Sequence, residues 1–334
     1  MEKKKIFFVV NSLNPGGMQS VIKILADGLS KEFDTNIIFF GGDNFKLDNV
    51  NFLRLEKKYR LFHLLKIFLK QKNEFIVIPF GITKSLDVIA LKFLKNFKII
   101  ATERNDPLKK ISKLKRKLID LLIFRADALV LQNNYQFNYY KNLTDKTKIQ
   151  IINNPIRINP KIQPKKGRNL LSIGRFTNQK NQLDLIEVMA KLNSSMKLFL
   201  IGYGENYSVI KDEIIRNNLE NRIIFIDNLK KINLCEIGLF ISTSLYEGMP
   251  NVILEALNTG LRCVQYDFDG NNFKTNLITS VDQRNIQKFV YEIEYKMKDN
   301  SNISSEDFIY ALKEYDHNLI INKWKKLLRS LFTH

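Results

Sequence analysis

The chain has 334 residues, of which 45% are hydrophobic and 26% are charged. This balance excludes a disordered chain, and the length exceeds what one hydrophobic core usually serves, so two domains are predicted. Two cysteines, Cys235 and Cys263, are too few for a disulfide framework and fit a reducing compartment. The apolar runs have only the length of strands, so we expect no signal peptide and no membrane-spanning segment.

The net charge of +19 is concentrated in the first half of the chain. Residues 1–153 contain 28 Lys and Arg against 14 Asp and Glu, whereas the remaining residues contain 25 against 20. This asymmetry predicts an anionic partner for the first half, which is nucleic acid, anionic lipid or a phosphorylated substrate. A lysine-rich proteome explains the same charge equally well.

Short apolar runs alternate with amphipathic stretches in the first half. Strands are predicted at 5–10, 35–41, 75–80, 97–102 and 128–132, and helices around 18–33, 60–72, 84–95, 108–125 and 134–142. Residues 154–168 contain three prolines and lack periodicity, which predicts a linker. Alternation then resumes, with strands at 169–174, 197–202, 222–227, 237–242 and 262–267 and helices at 181–192, 206–218 and 251–259.

Roughly the last 50 residues are predicted to be helical. An apolar stripe near the end consists of Ile320, Ile321, Trp324, Leu327, Leu328 and Leu331. The predicted fold class is therefore α/β, with two doubly wound parallel sheets. Because such sheets bind ligands at the carboxyl ends of their strands, the chemistry is expected in strand-to-helix loops.

Two cations lie in the loop after the strand at 169–174. Arg175 and Lys180 are five residues apart before a predicted helix, so both can turn into one cleft and bind a diphosphate. Two solvated surface cations would show the same spacing.

The stretch YEGMPNVILEALNTG, residues 246–260, places carboxylates on both sides of a helix start. Glu247 precedes the helix, and Glu255 lies about 6–8 Å along its axis. Gly248 is predicted to permit a sharp turn, and Pro250 suits the first helical turn. With a diphosphate at the helix N-terminus, the two acids can accept hydroxyl hydrogens from a sugar and a ribose. Alternatively, an acid here merely complements the helix dipole.

Two further loops contain glycines next to predicted strands. Gly16 and Gly17 follow the first strand, and Gly202 and Gly204 follow the strand at 197–202. Each pair can let backbone approach a phosphate, but neither completes a G-x-G-x-x-G fingerprint.

Together these motifs resemble the retaining nucleotide-sugar glycosyltransferases of family 4, surface-polysaccharide type, which have the GT-B architecture of two facing Rossmann-like domains. The similar segments are NPGGMQSV, ATERNDP, ADALVLQNNYQ, IINNPI, SIGRFTNQKNQLDLI and STSLYEGMPNVILEALNTG. The resemblance implies an acceptor-side domain at 1–153, a linker at 154–168 and a nucleotide-sugar-binding domain at 169–315. It also implies a C-terminal helix at 316–334 that crosses back to the first domain.

The resemblance also implies roles for single residues. Arg175 and Lys180 would stabilise the donor diphosphate as a leaving group, with Glu247 on donor-sugar hydroxyls and Glu255 on ribose hydroxyls. The other implied donor-binding residues are Gly16, Gly17, Gly174, Gly204, Gly248, Met249, Pro250 and Asn251. Neither a metal nor a cofactor is expected, because the paired cations do the work of a divalent ion.

The first-domain loop departs from the family pattern. Many members have a histidine where this chain has Glu103, Arg104 and Asn105. We predict that Glu103 orients or deprotonates the acceptor hydroxyl as a catalytic residue. Arg104 and Asn105 are predicted to bind the acceptor, Arg104 through an acceptor phosphate.

Two predicted helices of the first half, around 60–72 and 108–125, are basic and amphipathic. Both can lie on an anionic membrane surface, or can be ordinary helices with the apolar side toward the core. The predicted membrane-binding cations are Lys109, Lys110, Lys113, Lys115, Arg116 and Lys117.

The sequence thus predicts a cytoplasmic enzyme that is peripheral on the inner face of the cell membrane. It would move a hexose or N-acetylhexosamine from a nucleotide sugar, UDP-linked by expectation, to a lipid-linked glycan acceptor in surface-polysaccharide assembly. One alternative is a sugar-nucleotide 2-epimerase of the same architecture, against which the shortage of cleft histidines counts. The other is a basic nucleic-acid-binding protein, but recognition motifs for nucleic acid are missing, and we expect no such partner.

Overall fold

The chain folds into two compact units, each built on one parallel sheet. The computed structural model describes residues 3–43, 45–109, 111–192, 195–299, 301 and 303–333. Unit 1 comprises residues 1–157 and 314–334, and unit 2 comprises residues 158–313. The predicted α/β fold class is confirmed.

Unit 1 contains seven strands: β1 (Lys5–Val10), β2 (Asp34–Phe39), β3 (Val50–Arg54), β4 (Phe75–Pro79), β5 (Lys98–Thr102), β6 (Ala128–Leu131) and β7 (Ile149–Ile151). Its helices are α1 (Gly17–Ser30), α2 (Arg60–Leu69), α3 (Ile82–Leu91), α4 (Lys113–Leu122), α5 (Asn134–Tyr140) and the C-terminal α11 (His317–Phe332). The strand order is β3-β2-β1-β4-β5-β6-β7, with every neighbouring pair parallel. The order reverses between β1 and β4, the position at which doubly wound sheets bind ligands.

Both faces of the unit 1 sheet are buried. Ile6 and Phe8 of β1 belong to one apolar cluster, whereas Phe7 and Val9 belong to the other. Alternating side chains of a strand point to opposite faces, so a strand that is apolar at every position needs helices on both sides.

The C-terminal helix belongs to the core of unit 1, as predicted. Trp324 of α11 is fully buried in the cluster that contains Leu25 of α1. A Cβ atom on Gly28 of α1 would lie 2.2 Å from Cδ1 of Ile321, so the glycine allows α1 and α11 to approach closely.

A charged cluster joins the end of α11 to the residues after α1. Arg329 donates to both carboxylate oxygens of Glu32, at 2.6 and 2.7 Å, and Lys325 lies 3.5 Å away. The Arg329 hydrogen bond lowers the pKa of Glu32.

We therefore expect Glu32→Gln to reduce the free energy of unfolding by about 0.5 kcal/mol near neutral pH. Because the folded-state pKa is depressed, this contribution is present above the ordinary carboxyl pKa and disappears as pH falls through the depressed value. Urea unfolding of both proteins from about pH 7 to about pH 3 measures the difference. A difference that grows on acidification would contradict the assignment.

Unit 2 contains six strands: β8 (Asn169–Ile173), β9 (Leu198–Ile201), β10 (Ile223–Ile226), β11 (Ile237–Ser242), β12 (Arg262–Tyr266) and β13 (Ile278–Val281). Its helices are α6 (Gln182–Lys191), α7 (Tyr207–Arg216), α8 (Asn251–Asn258), α9 (Ile286–Lys298) and α10 (Ser305–Leu312). The order β10-β9-β8-β11-β12-β13 is parallel throughout and reverses between β8 and β11. The loops after these two strands carry the predicted donor motifs.

The segment predicted as a linker is packed rather than free. Ile162 is buried, and the Lys165 N–H donates to the Gly260 carbonyl at 2.9 Å. A Cβ atom on Gly260 would lie 1.9 Å from the Gln163 carbonyl oxygen. The division between the units falls after Arg157, within the predicted linker.

Within the described ranges, no helix has both the length and the apolar composition that crossing a bilayer requires.

Candidate functional site

The loop after β8 presents one exposed cation and one half-buried cation. Phe176 is buried and fixes the loop, while the neighbouring Arg175 side chain is exposed. Gln182 donates from Nε2 to the Arg175 carbonyl at 2.9 Å. Among the residues that the structure describes, no acidic side chain pairs with Arg175, so its guanidinium is available to an anion.

Lys180 reaches across to the loop after β11. Its Nζ lies 2.6 Å from Oε1 of Glu247, and the two side chains are 16% and 11% exposed. Gln179 donates from Nε2 to the Tyr246 carbonyl at 2.8 Å and to Oε2 of Glu247 at 3.3 Å. The structure thus brings together three predicted elements, the R-x4-K loop, Glu247 and the start of α8, and adds Gln179, which the sequence analysis missed.

Glu255, on the second turn of α8, completes the acidic pair. Burial raises the pKa of its carboxyl, and the nearby Lys180 charge lowers it. No described residue donates a hydrogen bond to this carboxylate, which therefore has free acceptor capacity for a hydroxyl.

The residues between the two acids form the entrance to α8. Met249 is buried, Pro250 is the N-cap, and Asn251 is the first helical residue. Pro250 thus lies one position before the first helical turn for which it was predicted. Gly248 does not have a positive φ, so the left-handed freedom of glycine is not used there.

Two predicted glycines of unit 2 have packing roles. A Cβ atom on Gly204 would lie 2.3 Å from the Phe176 carbonyl oxygen, and one on Gly202 would lie 1.9 Å from the Gly174 carbonyl oxygen. Both glycines therefore allow the loop after β9 to pack against the loop after β8. At Gly174 a Cβ atom would meet Lys180 side-chain carbons at 3.4 Å, an ordinary contact.

Unit 1 has a cavity of about 450 Å³ at the carboxyl ends of β1, β4 and β5, which we call the unit 1 cavity. The lining residues are Asn11, Met18, Arg60, Phe80, Gly81, Ile82, Thr83, Lys84, Leu86, Asp87, Glu103, Arg104, Asn105, Asp106, Lys109, Ile111, Lys115, Arg116 and Ile119. Gly16 and Gly17 stand at the start of α1, next to the lining residue Met18. Their role toward donor phosphates stays a prediction.

Glu103 is buried and fully engaged by unit 1. Its Oε1 accepts from the N–H groups of Arg104 and Asn105, and its Oε2 accepts from the Tyr140 hydroxyl at 2.9 Å. Arg116 lies 3.6 Å from Oε2. Burial raises the pKa of Glu103, whereas Arg116 and these hydrogen bonds lower it. A carboxylate with this many partners is suited to holding the loop in place, and its action on the acceptor hydroxyl stays a prediction.

The Arg104 guanidinium stacks on an aromatic ring, and only some of its N–H groups have hydrogen-bond partners. Its guanidinium lies 4.0 Å from the Phe80 ring centroid, and Nη1 donates to Oδ1 of Asn154 at 2.8 Å. Its Nε and Nη2 are buried and have no hydrogen-bond partner among the described residues. An unpaired buried donor costs about 1–3 kcal/mol, so an anion that satisfied these groups would be bound favourably. Asn105 mainly shapes the loop, since its carbonyl accepts from Gln136 at 2.8 Å.

Five of the six predicted membrane cations lie within the described residues, and these five divide into three groups. Arg116 was placed wrongly, because its side chain is 12% exposed and donates to the Tyr140 hydroxyl at 2.7 Å. Lys109 and Lys115 are exposed but line the unit 1 cavity. Lys113 and Lys117 are exposed at the surface, and Lys110 lies outside the described residues.

Helix α4 has apolar residues both on the side that faces the core and on the side that faces outward. Leu114, Leu118 and Leu121, which we call the apolar stripe, are 70%, 40% and 66% exposed, whereas Ile119 is buried. Positions four and three apart share one helical face, so the stripe is continuous and lies away from the face that lines the cavity. The alternative of an ordinary helix is right in part, because Ile119 and Leu122 of α4 pack against the apolar core of unit 1 while the apolar stripe stays outside it. In α2, Leu64 and Phe68 are buried, while the large apolar side chains exposed in and just before this helix are Tyr59, Leu61, Phe62 and Leu69.

The sequence analysis also missed an ion-paired cluster in the unit 1 cavity. Asp87 accepts from Arg60 at 2.9 Å and from Lys84 at 3.3 Å. Lys84 is 5% exposed, and burial lowers the pKa of its ammonium group. Lys84 and Asp87 are three apart in a predicted helix, and such a pair inside an apolar helical pattern is the signal that could have revealed them.

Comparisons with known proteins agree with this architecture. Residues 155–315 match the family model of Glycosyl transferases group 1. The chain is 28% identical, over 286 residues, to a Campylobacter jejuni enzyme named GalNAc-alpha-(1->4)-GalNAc-alpha-(1->3)-diNAcBac-PP-undecaprenol alpha-1,4-N-acetyl-D-galactosaminyltransferase, covering 76% of each chain. It is 25% identical to the amylovoran biosynthesis glycosyltransferase AmsD of Erwinia amylovora, covering 97% of this chain and 99% of that one.

Two solved structures show the same fold. The lipopolysaccharide outer core galactosyltransferase WaaB superposes with a TM-score of 0.75 at 18% identity, covering 98% of this chain and 99% of that one. Anabaena Alr3699/HepE, in complex with UDP-glucose, superposes with a TM-score of 0.83 at 17% identity, covering 99% and 100%. The chain therefore has the GT-B fold of these glycosyltransferases, and its residues 155–315 match the glycosyl transferases group 1 family.

Proposed function

We propose that this enzyme is a retaining glycosyltransferase that moves a hexose or N-acetylhexosamine from a UDP-sugar to a lipid-linked glycan during assembly of a bacterial surface polysaccharide. The observation that carries the proposal is the cluster in unit 2, where Lys180 bonds to Glu247 and lies near Glu255, while Arg175 is exposed in the same loop as Lys180. Cations and hydroxyl acceptors at the switch point of a parallel sheet suit a sugar diphosphate.

The cluster suits the departure of a nucleoside diphosphate. When the bond from the anomeric carbon to the diphosphate oxygen breaks, negative charge develops on that oxygen. The acceptor hydroxyl oxygen bonds to the anomeric carbon on the same face, and the departing diphosphate takes the hydroxyl proton. Arg175 and Lys180 stabilise the negative charge, while the buried Phe176 fixes their loop and Glu247 holds Lys180. Glu255 accepts hydrogens from ribose hydroxyls, and Glu247 and the entrance residues Gly248, Met249 and Asn251 contact the donor sugar. Transfer therefore needs no metal ion.

The acceptor side belongs to unit 1 in this proposal. Glu103 positions the loop that carries Arg104 and Asn105, and these residues contact the acceptor. The names of two relatives support a lipid-linked glycan: the Campylobacter enzyme is named for a PP-undecaprenol substrate, and AmsD is named for amylovoran biosynthesis. The apolar stripe of α4, flanked by Lys113 and Lys117, supports attachment to an anionic membrane. In this proposal the enzyme works at the inner face of the cell membrane.

A thermal-shift screen of UDP-, GDP- and ADP-sugars tests the donor assignment. We expect a UDP-hexose or UDP-N-acetylhexosamine to raise Tm, since a ligand at about 100 times its Kd stabilises by about 2.7 kcal/mol. The shift should be unchanged in EDTA and reduced in Glu255→Gln, which offers the ribose a weaker acceptor.

Two results would count against this function. If no nucleotide sugar raised Tm, the donor assignment would be refuted. If EDTA removed the shift, a divalent ion rather than Arg175 and Lys180 would be the partner of the diphosphate.

A further inference from the structure

The unit 1 cavity has a surplus of positive charge. It is lined by six cations, Arg60, Lys84, Arg104, Lys109, Lys115 and Arg116, but by only three acids, Asp87, Glu103 and Asp106. One of these acids, Asp87, is shared by two cations. Such a surplus inside a concave site attracts an anion.

Three of these cations are placed to bind one anion. Lys84 comes from α3, Arg104 from the loop after β5 and Lys115 from α4. Lys84 is 5% exposed, and Lys115 lies near enough for its charge to lower the Lys84 pKa. Within the described part of the chain, neither Arg104 nor Lys115 forms an ion pair with an acid, and two N–H groups of Arg104 lack any partner.

We propose that the acceptor of the proposed transfer is recognised through a phosphate or diphosphate group, which Lys84, Arg104 and Lys115 bind in the unit 1 cavity. A carboxylate would offset only one of the three surplus charges, whereas a phosphate group offsets about two. The cavity of about 450 Å³ also holds a sugar joined to that group. Lys84 is the main specificity determinant, because it is the most deeply buried of the three and Asp87 fixes its position.

The proposal rests on the proposed function, because it assigns a ligand to the acceptor side of that reaction. The phosphate chemistry has two possible sources, the diphosphate of a lipid carrier or a phosphorylated sugar of the glycan. Both would be bound by the same cations, so the experiment distinguishes the sources by the remainder of the ligand.

Isothermal titration calorimetry of the full chain at saturating UDP, which occupies the donor site, measures this binding. We expect inorganic diphosphate to bind at one site and its affinity to fall at least about tenfold in Lys84→Met and in Lys115→Met. Lys323→Met removes the same charge from the exposed side of α11, outside the cavity lining, and should leave the affinity unchanged. In Lys84→Met, Asp87 keeps its ion pair with Arg60, and Lys115 is exposed, so both variants should fold.

Farnesyl diphosphate and glucose 6-phosphate then separate the two sources. Tighter binding of farnesyl diphosphate assigns the group to the lipid, and tighter binding of glucose 6-phosphate assigns it to a phosphorylated sugar. The proposal is overturned if glucuronate binds more tightly than farnesyl diphosphate and glucose 6-phosphate. It is also overturned if replacing Lys84 and Lys115 does not change the affinity for diphosphate.

The same titration of the double variant Arg175→Ala/Lys180→Ala, without UDP, measures diphosphate binding in the unit 1 cavity independently of the donor site. If diphosphate does not bind to this double variant while UDP still binds to the wild-type protein, this inference alone is refuted. Absence of UDP binding refutes the proposed function instead.

Discussion

Replacing both donor-site cations, in Arg175→Met/Lys180→Met, is expected to lower kcat/KM about ten-thousandfold. Loss of one preorganised group that stabilises developing charge costs about 10²–10³ in rate, and the two cations act on one diphosphate, so their losses add incompletely. Each single variant should therefore lose about a hundredfold or more. Steady-state transfer from the donor identified in the screen gives the measurement.

The two single variants should differ in stability. Arg175 is exposed and forms no ion pair with a described residue, so Arg175→Met should unfold at the wild-type Tm. Lys180→Met leaves the Glu247 carboxylate with Gln179 as its remaining side-chain donor, which should cost about 1–3 kcal/mol. A kinetic loss without a stability loss in Arg175→Met would therefore report on chemistry alone.

Lys211→Met is the matched control for these variants, because Lys211 is an exposed cation on α7 of the same unit. It should transfer glycosyl groups at the wild-type rate. If Arg175→Met kept the wild-type kcat/KM, Arg175 would have no role in the transfer.

The strongest sequence patterns predicted the elements that the structure contains. Strand β1 is buried from Ile6 onward and β11 along its whole length, so both appear as continuous apolar runs. The strands that escaped prediction, β3, β7 and β13, are all at sheet edges. An edge strand has one neighbour and is partly exposed, as β3 is at four of its five residues, so its sequence is mixed. Apolar composition made the other strands predictable, including the edge strand β10, although three of its four residues are only partly buried.

The unit 2 cluster was predictable because its members lie in two short motifs, whereas the unit 1 cavity is assembled from distant segments. Lys84 and Lys115 are brought together by the order of β4 and β5 in the sheet, which spacing along the chain does not show. The error at Arg116 has a related cause. In a run of six cations, composition does not reveal which side chain turns inward. Arg116 does so because it contacts Tyr140 and Glu103, which lie far from it in the chain or outside the run.

Replacing the apolar stripe, in Leu114→Ser/Leu118→Ser/Leu121→Ser, is expected to weaken binding to anionic vesicles about a hundredfold. Fully burying a leucine side chain contributes about 1.5–3 kcal/mol, and insertion at the headgroup level recovers roughly half of that for each residue. Because the three leucines are 70%, 40% and 66% exposed, their replacement should leave Tm unchanged. Flotation with vesicles of anionic and of neutral lipid measures the partition.

The charged residues beside the stripe should act differently from the leucines. Lys113→Gln/Lys117→Gln should weaken binding only to anionic vesicles, by about 1 kcal/mol for each charge. Ile215→Ser, on an exposed position of α7 in unit 2, is the matched apolar control and should float like the wild-type protein. Unchanged flotation of the triple leucine variant would show that α4 does not enter the membrane.

The proposed membrane attachment through α4 would have a consequence for catalysis, because Lys115 and Ile119 of the same helix line the unit 1 cavity. A helix lying at the headgroup level holds that cavity within reach of a phosphate group on a lipid carrier. The triple leucine variant should therefore raise KM for an acceptor presented in vesicles while leaving kcat/KM for a short, soluble acceptor analogue unchanged. Equal losses with both acceptors would mean that the stripe supports the fold of the cavity and not its approach to the membrane.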